Sequence, residues 1–164
     1  SFIGKTEELW TYYCSAQSSK NVSNRFFSMP SVRNRILGYQ MYKYSVKGFL
    51  HWGYNFYFSQ YSRKPIDPYK VTDAGKAFAS GDSFIVYPGD NFTPLNSLRL
   101  NVFYDGLQDM MALQLLETKI GKEAVVKLME DSTDKPITFS EYPHSNSWLL
   151  ENREKINQKI KKYI

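Results

Sequence analysis

The sequence predicts an α/β domain built on parallel strands. Three observations carry that expectation: an aromatic run without Gly or Pro at Glu7–Cys14 (EELWTYYC), an amphipathic pattern after Met29-Pro30, and a second apolar run at Gly48–Phe56 (GFLHWGYNF). Strand, helix, strand is a βαβ unit, and the more than thirty residues between Cys14 and Phe49 exceed the dozen or so that a parallel crossover needs. Both runs are nearly continuous in hydrophobicity rather than alternating, which predicts a sheet covered on both faces.

The first run combines aromatics with a β-branched Thr, the composition of a buried strand, and it gives way to the polar stretch Ser15–Asn24. Ser31 is placed to cap a helix in which Val32, Ile36, Leu37, Met41 and Tyr44 recur at helical spacing, ending near Gly48. Gly48–Phe56 is then the second strand. Tyr57–Gly81 is a long connection, and connections of that length in compact domains usually carry function. Ser83–Tyr87 (SFIVY) reads as a short strand folding over it, stopped by Pro88-Gly89-Asp90. Ser97–Ile120 is helical, with Leu100, Phe103, Leu107, Met111 and Leu115 as its predicted apolar side despite Gly106, and Gly121 closes it. Lys122–Glu130 is a further short helix. After the Asp131–Ser145 loop, a basic helix starting near Ser147 has Trp148, Leu149, Ile156, Ile160 and Ile164 as its predicted buried stripe. The chain thus divides into a main portion, 1–130, and a loop with a basic C-terminal helix, 131–164.

Composition narrows the function classes. With 13 Tyr and 11 Phe among 164 residues, this is not a disordered chain. The net charge of +5 invites a nucleic-acid reading, but a net +3 of it lies on the terminal helix, where Arg153, Lys155, Lys159, Lys161 and Lys162 oppose Glu151 and Glu154. That is the pattern of a solvated helix face, so no nucleic-acid partner is expected. No apolar run approaches the roughly 18 residues that span a bilayer, and no membrane association is expected. Ser1–Glu8 lacks a signal pattern, so a secreted or cell-surface location is expected only if a leader belongs to the parent protein. The single Cys excludes an internal disulfide and paired-cysteine metal clusters, and Cys14, His51 and His144 fit no zinc-ligand spacing. Cys14 and His51 fall on neighbouring predicted strands, yet nothing in the sequence supplies a group to orient the imidazole for nucleophilic chemistry.

The order and spacing of GFLHWGYN, GDSFIVYPGD and SLRLNVFYDGLQDMMAL resemble the C-terminal part of the glycoside hydrolase family 123 catalytic domain, over roughly Leu9–Leu116. The strongest pieces are Gly48–Asn55, Gly81-Asp82 through Tyr87-Pro88-Gly89, and Ser97, Arg99, Asp105, Gly106 and Asp109. Tyr104 and Asn101, and the pair Met110-Met111, depart from the family's charged and aromatic-acidic residues there. The resemblance implies a (β/α)8 TIM-type barrel, which needs about 250 residues. The chain is therefore expected to be the C-terminal portion of such a barrel, its last two parallel strands and their helices, with a C-terminal helical extension. Raw strand edges then predict partners: the remainder of the barrel, or self-association.

Relatives of this type are implied to cleave β-linked N-acetylhexosamine with help from the substrate's acetamido group, using an adjacent Asp-Glu pair. This chain has no Asp-Glu dipeptide, and neither Glu7-Glu8 nor Glu130-Asp131 sits where a catalytic pair belongs. No catalytic residue is assigned, the piece alone is expected to be inactive, and no cofactor or metal is implied. What remains is a sugar-binding wall for a glycan ligand at the C-terminal strand ends. Trp52 is its expected stacking platform, while Tyr54, Asn55 and Tyr13 are its expected hydrogen-bonding groups. Against this, Trp52 fills core and Asn55 caps a turn. Asp105 and Asp109, one helical turn apart, are expected to cap the helix or to pair with Arg99 and neighbouring Lys rather than act as a carboxylate pair. The alternative function is a noncatalytic carbohydrate-binding or assembly module.

Overall fold

The strand ladder follows the predicted sense. In the computed structural model, which describes residues 5–12, 14–15 and 21–164, β1 (Trp10–Tyr12) pairs in parallel with β2 (Gly48–Leu50). Trp10 lies opposite Gly48, Thr11 opposite Phe49 and Tyr12 opposite Leu50. The second strand is shorter than its apolar run, because beyond Leu50 the chain changes partner. Ile85 donates its backbone N–H to the Tyr54 carbonyl at 2.9 Å, and Phe56 donates to the Ser83 carbonyl at 3.0 Å. Gly53 permits the switch: a methyl group there would lie 2.2 Å from the Asp82 carbonyl oxygen.

Among the described residues, helices cover only one face of the ladder, where the sequence predicts two covered faces. Phe49 packs with Leu9 and Phe103 against Leu37, Met41 and Val46. On the other face Trp10, Tyr12 and Leu50 are exposed, and the Trp10 indole lies directly over Gly48.

Between the strands run α1 (Val32–Arg35) and α2 (Leu37–Lys43), consecutive through Ile36. Ser31 precedes them but makes no side-chain cap bond. Val32, Ile36, Leu37 and Met41 are buried as the spacing predicts; Tyr44 is half-buried and donates its hydroxyl to the Ile137 carbonyl at 3.0 Å. β3 (Val86–Pro88) forms an antiparallel hairpin with β4 (Pro94–Asn96), shifted from the predicted Ser83–Tyr87 so that Pro88 lies inside the strand opposite Pro94. Proline is tolerated there because this two-stranded sheet is all edge.

Helix α3 (Leu98–Ile120) begins at Ser97, whose Oγ accepts from the Leu100 N–H at 3.2 Å and donates to the Ile85 carbonyl at 2.5 Å. Its buried side differs from the predicted one: Gly106, Asp109, Ala112, Leu113 and Leu116 face inward, while Met111 and Leu115 are exposed. Glycine sets this face. A methyl group on Gly38 would sit 1.8 Å from the Gly106 carbonyl oxygen, and one on Gly106 would sit 2.7 Å from that of Arg35, so α2 and α3 cross backbone to backbone. Asp109 also departs from expectation. It pairs with Arg35 (2.6 Å) and Arg153 (2.7 Å) rather than Arg99, and its carboxylate holds the Arg35 guanidinium's pKa up.

Helix α4 (Lys122–Glu130) matches its predicted bounds, and α5 (Asn146–Lys161) starts one residue after Ser145, whose Oγ accepts from the Trp148 N–H. Trp148, Leu149, Ile156 and Ile160 join Ile36, Tyr39, Leu113, Leu116, Val125 and Met129 in one core; Ile164 lies beyond the helix and is exposed. Two of the cations expected on a solvated face are paired, Arg153 with Asp109 and Lys155 with Asp131. Among the described residues no helix is long and apolar enough to cross a membrane.

Candidate functional site

Trp52 stands two residues beyond β2, at its C-terminal end. It is half-buried, with its ring edge-on to Phe78 (5.1 Å between centroids, 71°) and tilted against Phe56 (5.6 Å). Its Nε1–H donates to Asp82 Oδ2 at 3.1 Å, which fixes the rotation of the indole about its stem. Asp82 is 1% exposed, and burial raises its carboxyl above the ordinary range against the opposing pull of the Trp52 hydrogen bond, the Ser15 backbone N–H and the charges of Arg25 and Arg99.

The turn that carries Asp82 is held by Arg99 of α3. Its guanidinium donates to the carbonyls of Arg25 (2.7 Å), Gly81 (2.6 Å) and Phe84 (2.6 Å) and lies over the Phe27 ring. Burial lowers its pKa to about 10, yet it stays protonated at neutral pH. Arg25, 1% exposed, lies over Phe49 at 4.4 Å. Beside these cations, His51 stacks on Phe49, and burial followed by the charges of Arg25 and Arg99 pushes its pKa down to about 3. Both ring nitrogens of His51 are buried and, among the described residues, neither makes a hydrogen bond, so no Cys14–His51 hydrogen bond of the kind a nucleophile and its base share is present.

The predicted residues therefore divide. Trp52 and Tyr54 stand on one short segment at the strand end; Tyr54 is exposed and uses its carbonyl to hold Ile85 and Val86. Asn55 is exposed and bridges Phe84 through its backbone. Tyr13 lies outside the described residues. Sequence reasoning missed Asp82 and Arg99 as the groups that orient this wall. The signal was present, since both fall in the quoted motifs, but a contact thirty residues away in sequence has no local pattern. A groove of about 450 Å³ between Ser132 and Trp148 contains none of these residues.

A mixed α/β domain with an aromatic wall braced at its strand ends is the class these features define. The family model of the glycoside hydrolase 123 catalytic domain matches residues 3–116, more than half the chain, and the chain belongs to that family. No curated protein matches it. Trp52, Asp82 and Arg99 lie inside the matched region, and α4 and α5 lie beyond it.

Proposed function

We propose that this chain supplies part of the sugar-binding wall of a glycoside hydrolase acting on β-linked N-acetylhexosamine glycans, and that the acid catalyst comes from elsewhere. The observation that carries the reading is the hydrogen bond from Trp52 to Asp82 at the C-terminal end of a parallel strand. In barrels of parallel strands the active face is the one at those ends. An indole held there at a set angle suits the apolar C–H face of a pyranose, with Tyr54 and Asn55 beside it to meet hydroxyls.

Burial raises the pKa of the Asp82 carboxyl, but its position is not that of a general acid. Its Oδ2 is engaged by Trp52 and the carboxyl is buried, so it has no path to a leaving oxygen. It orients the platform instead.

The open ladder face supports a barrel portion. Helices cover the Phe49 side, whereas Trp10, Tyr12 and Leu50 offer an apolar side of the kind that fills a barrel interior. The same face favours the second reading, an assembly module, in which further strands or a second copy cover it.

Titration of the chain with N-acetylglucosamine or N-acetylgalactosamine, followed by tryptophan fluorescence, tests the proposal. The reading predicts saturable quenching that Trp52→Ala abolishes and Trp10→Ala preserves. Quenching that survives Trp52→Ala, or none in the wild type, overturns it.

A further inference from the structure

Helix α3 carries apolar residues on two sides. Leu113 and Leu116 face the core, whereas Met111 and Leu115, with Tyr104 on the same side two turns before Met111, are exposed. A helix that is apolar all round is ordinarily covered all round. The uncovered side is concave rather than flat. Between α3 and α5 runs an open groove of about 470 Å³, lined by the apolar Met111, Ala112, Leu115 and Ile160 and by the cations Arg153 and Lys161. None of these residues belongs to the saccharide wall.

The charge of the groove selects its occupant. Among the described residues no carboxylate lines it. Arg153 donates to Asp109 and, through Nε, to Asn157 Oδ1 at 3.0 Å, but Asp109 is shared with Arg35, so one carboxylate stands against two guanidiniums. Lys161 is exposed and makes no ion pair among the described residues. Glu151 and Glu154 of the same helix lie outside the lining, and Glu154 is held by Gln158. A second copy of the chain would bring the same basic rim, and like charges facing each other across an interface disfavour it. The shape selects an elongated partner. The lining runs from Gln108 to Leu115 on α3 and from Arg153 to Lys161 on α5, two turns of each helix or about 10 Å, a trough that takes one face of a third helix.

We infer that the groove between α3 and α5 docks an acidic amphipathic helix of another protein, its apolar side on Met111 and Leu115 and its carboxylates against Arg153 and Lys161. The inference is independent of the saccharide reading. One wall of the groove is α5, which lies beyond the family match, so the docking surface exists because that helix packs on α3.

Fluorescence anisotropy on the full chain tests it with two synthetic helical peptides that share one leucine side and differ only in their flanks, glutamate in one and lysine in the other. The glutamate peptide binds saturably and at least about tenfold more tightly than its lysine twin. Met111→Ser and Leu115→Ser each weaken it about five- to tenfold, while Phe92→Ser, at an exposed apolar residue outside the groove, leaves it unchanged. Lys161→Glu narrows the preference between the two peptides by about tenfold, a readout that a loss of folding does not produce. Equal binding of the two peptides, no binding of either, or binding indifferent to both Met111→Ser and Lys161→Glu overturns the inference. So does self-association in sedimentation equilibrium that Met111→Ser abolishes, because it gives the groove to a second copy. Binding to phosphatidylserine vesicles that the same substitution removes, without binding of either peptide, overturns it in favour of a lipid surface.

Discussion

Arg153, on the last helix, donates to Asp109 Oδ1 at 2.7 Å, while Arg35 grips the same carboxylate through two bonds from the opposite helix. Asp109 has no solvent exposure, so three elements of the fold meet at one fully desolvated charge. The contact ties α5, outside the family match, to α3 and α1 within it. Removing the shared carboxylate leaves two cations facing each other at a largely buried site. Asp109→Ala is predicted to lose about 3–5 kcal/mol, and Arg153→Ala only about 1 kcal/mol because Arg35 still satisfies Asp109. Urea denaturation midpoints of the two variants measure the difference.

At the crossing of α2 and α3, glycine is required by space alone. Alanine ordinarily gains about 1 kcal/mol over glycine inside a helix. Here the added methyl meets backbone, at 1.8 Å for Gly38, so the helices must separate. Gly38→Ala is predicted to destabilise by about 3 kcal/mol or more, and Gly106→Ala by less, since its contact is 2.7 Å. Thermal unfolding gives the order, and a stabilised Gly38→Ala protein would show that the backbones do not meet.

His51 makes stability pH-dependent. Its folded pKa is about 3, lowered by burial and then by Arg25 and Arg99, whereas an unfolded histidine titrates near 6.5. Between those values the unfolded chain binds the proton and the folded one does not. Stability therefore falls as pH drops from about 6.5 toward 3, with a slope of about 1.4 kcal/mol per pH unit from this group. Asp82 contributes in the opposite sense, because its raised pKa favours the folded state at low pH. Comparing wild type with His51→Leu isolates the histidine: the variant is predicted to lose this slope, and identical pH profiles would contradict the assignment.

Asp82 separates orientation of Trp52 from its mere presence. Asp82→Asn keeps an acceptor for the indole but turns its amide nitrogen toward the Ser15 backbone N–H, so it is predicted to lose roughly 1 kcal/mol and to hold saccharide affinity within about twofold. Asp82→Ala frees the ring and is predicted to weaken affinity about fivefold. Binding isotherms and melting curves on the same samples read both effects.

Much of this arrangement is legible in the chain. The long crossover between two apolar runs forecasts parallel pairing, Ser97 and Gly121 mark the ends of α3, and the α5 stripe is correct through Ile160. The buried side of α3 was not legible. At the crossing its inward positions are Gly106 and Asp109, chosen for close approach and for charge, so a search for apolar spacing favours Met111 and Leu115 instead. Trp52 could be singled out as an aromatic at a strand end, but its orientation depends on Asp82, and that turn in turn depends on Arg99. Such side-chain contacts across distant segments leave no periodic trace.

The most direct measurement of the central claim follows the indole N–H proton resonances of Trp10, Trp52 and Trp148 by NMR while N-acetylhexosamine is added. The account predicts a saturable shift of the Trp52 resonance, its hydrogen bond to Asp82 retained, with Trp10 and Trp148 unmoved. A Trp52 resonance that stays in place at saturating sugar, or a response confined to Trp10, would contradict it.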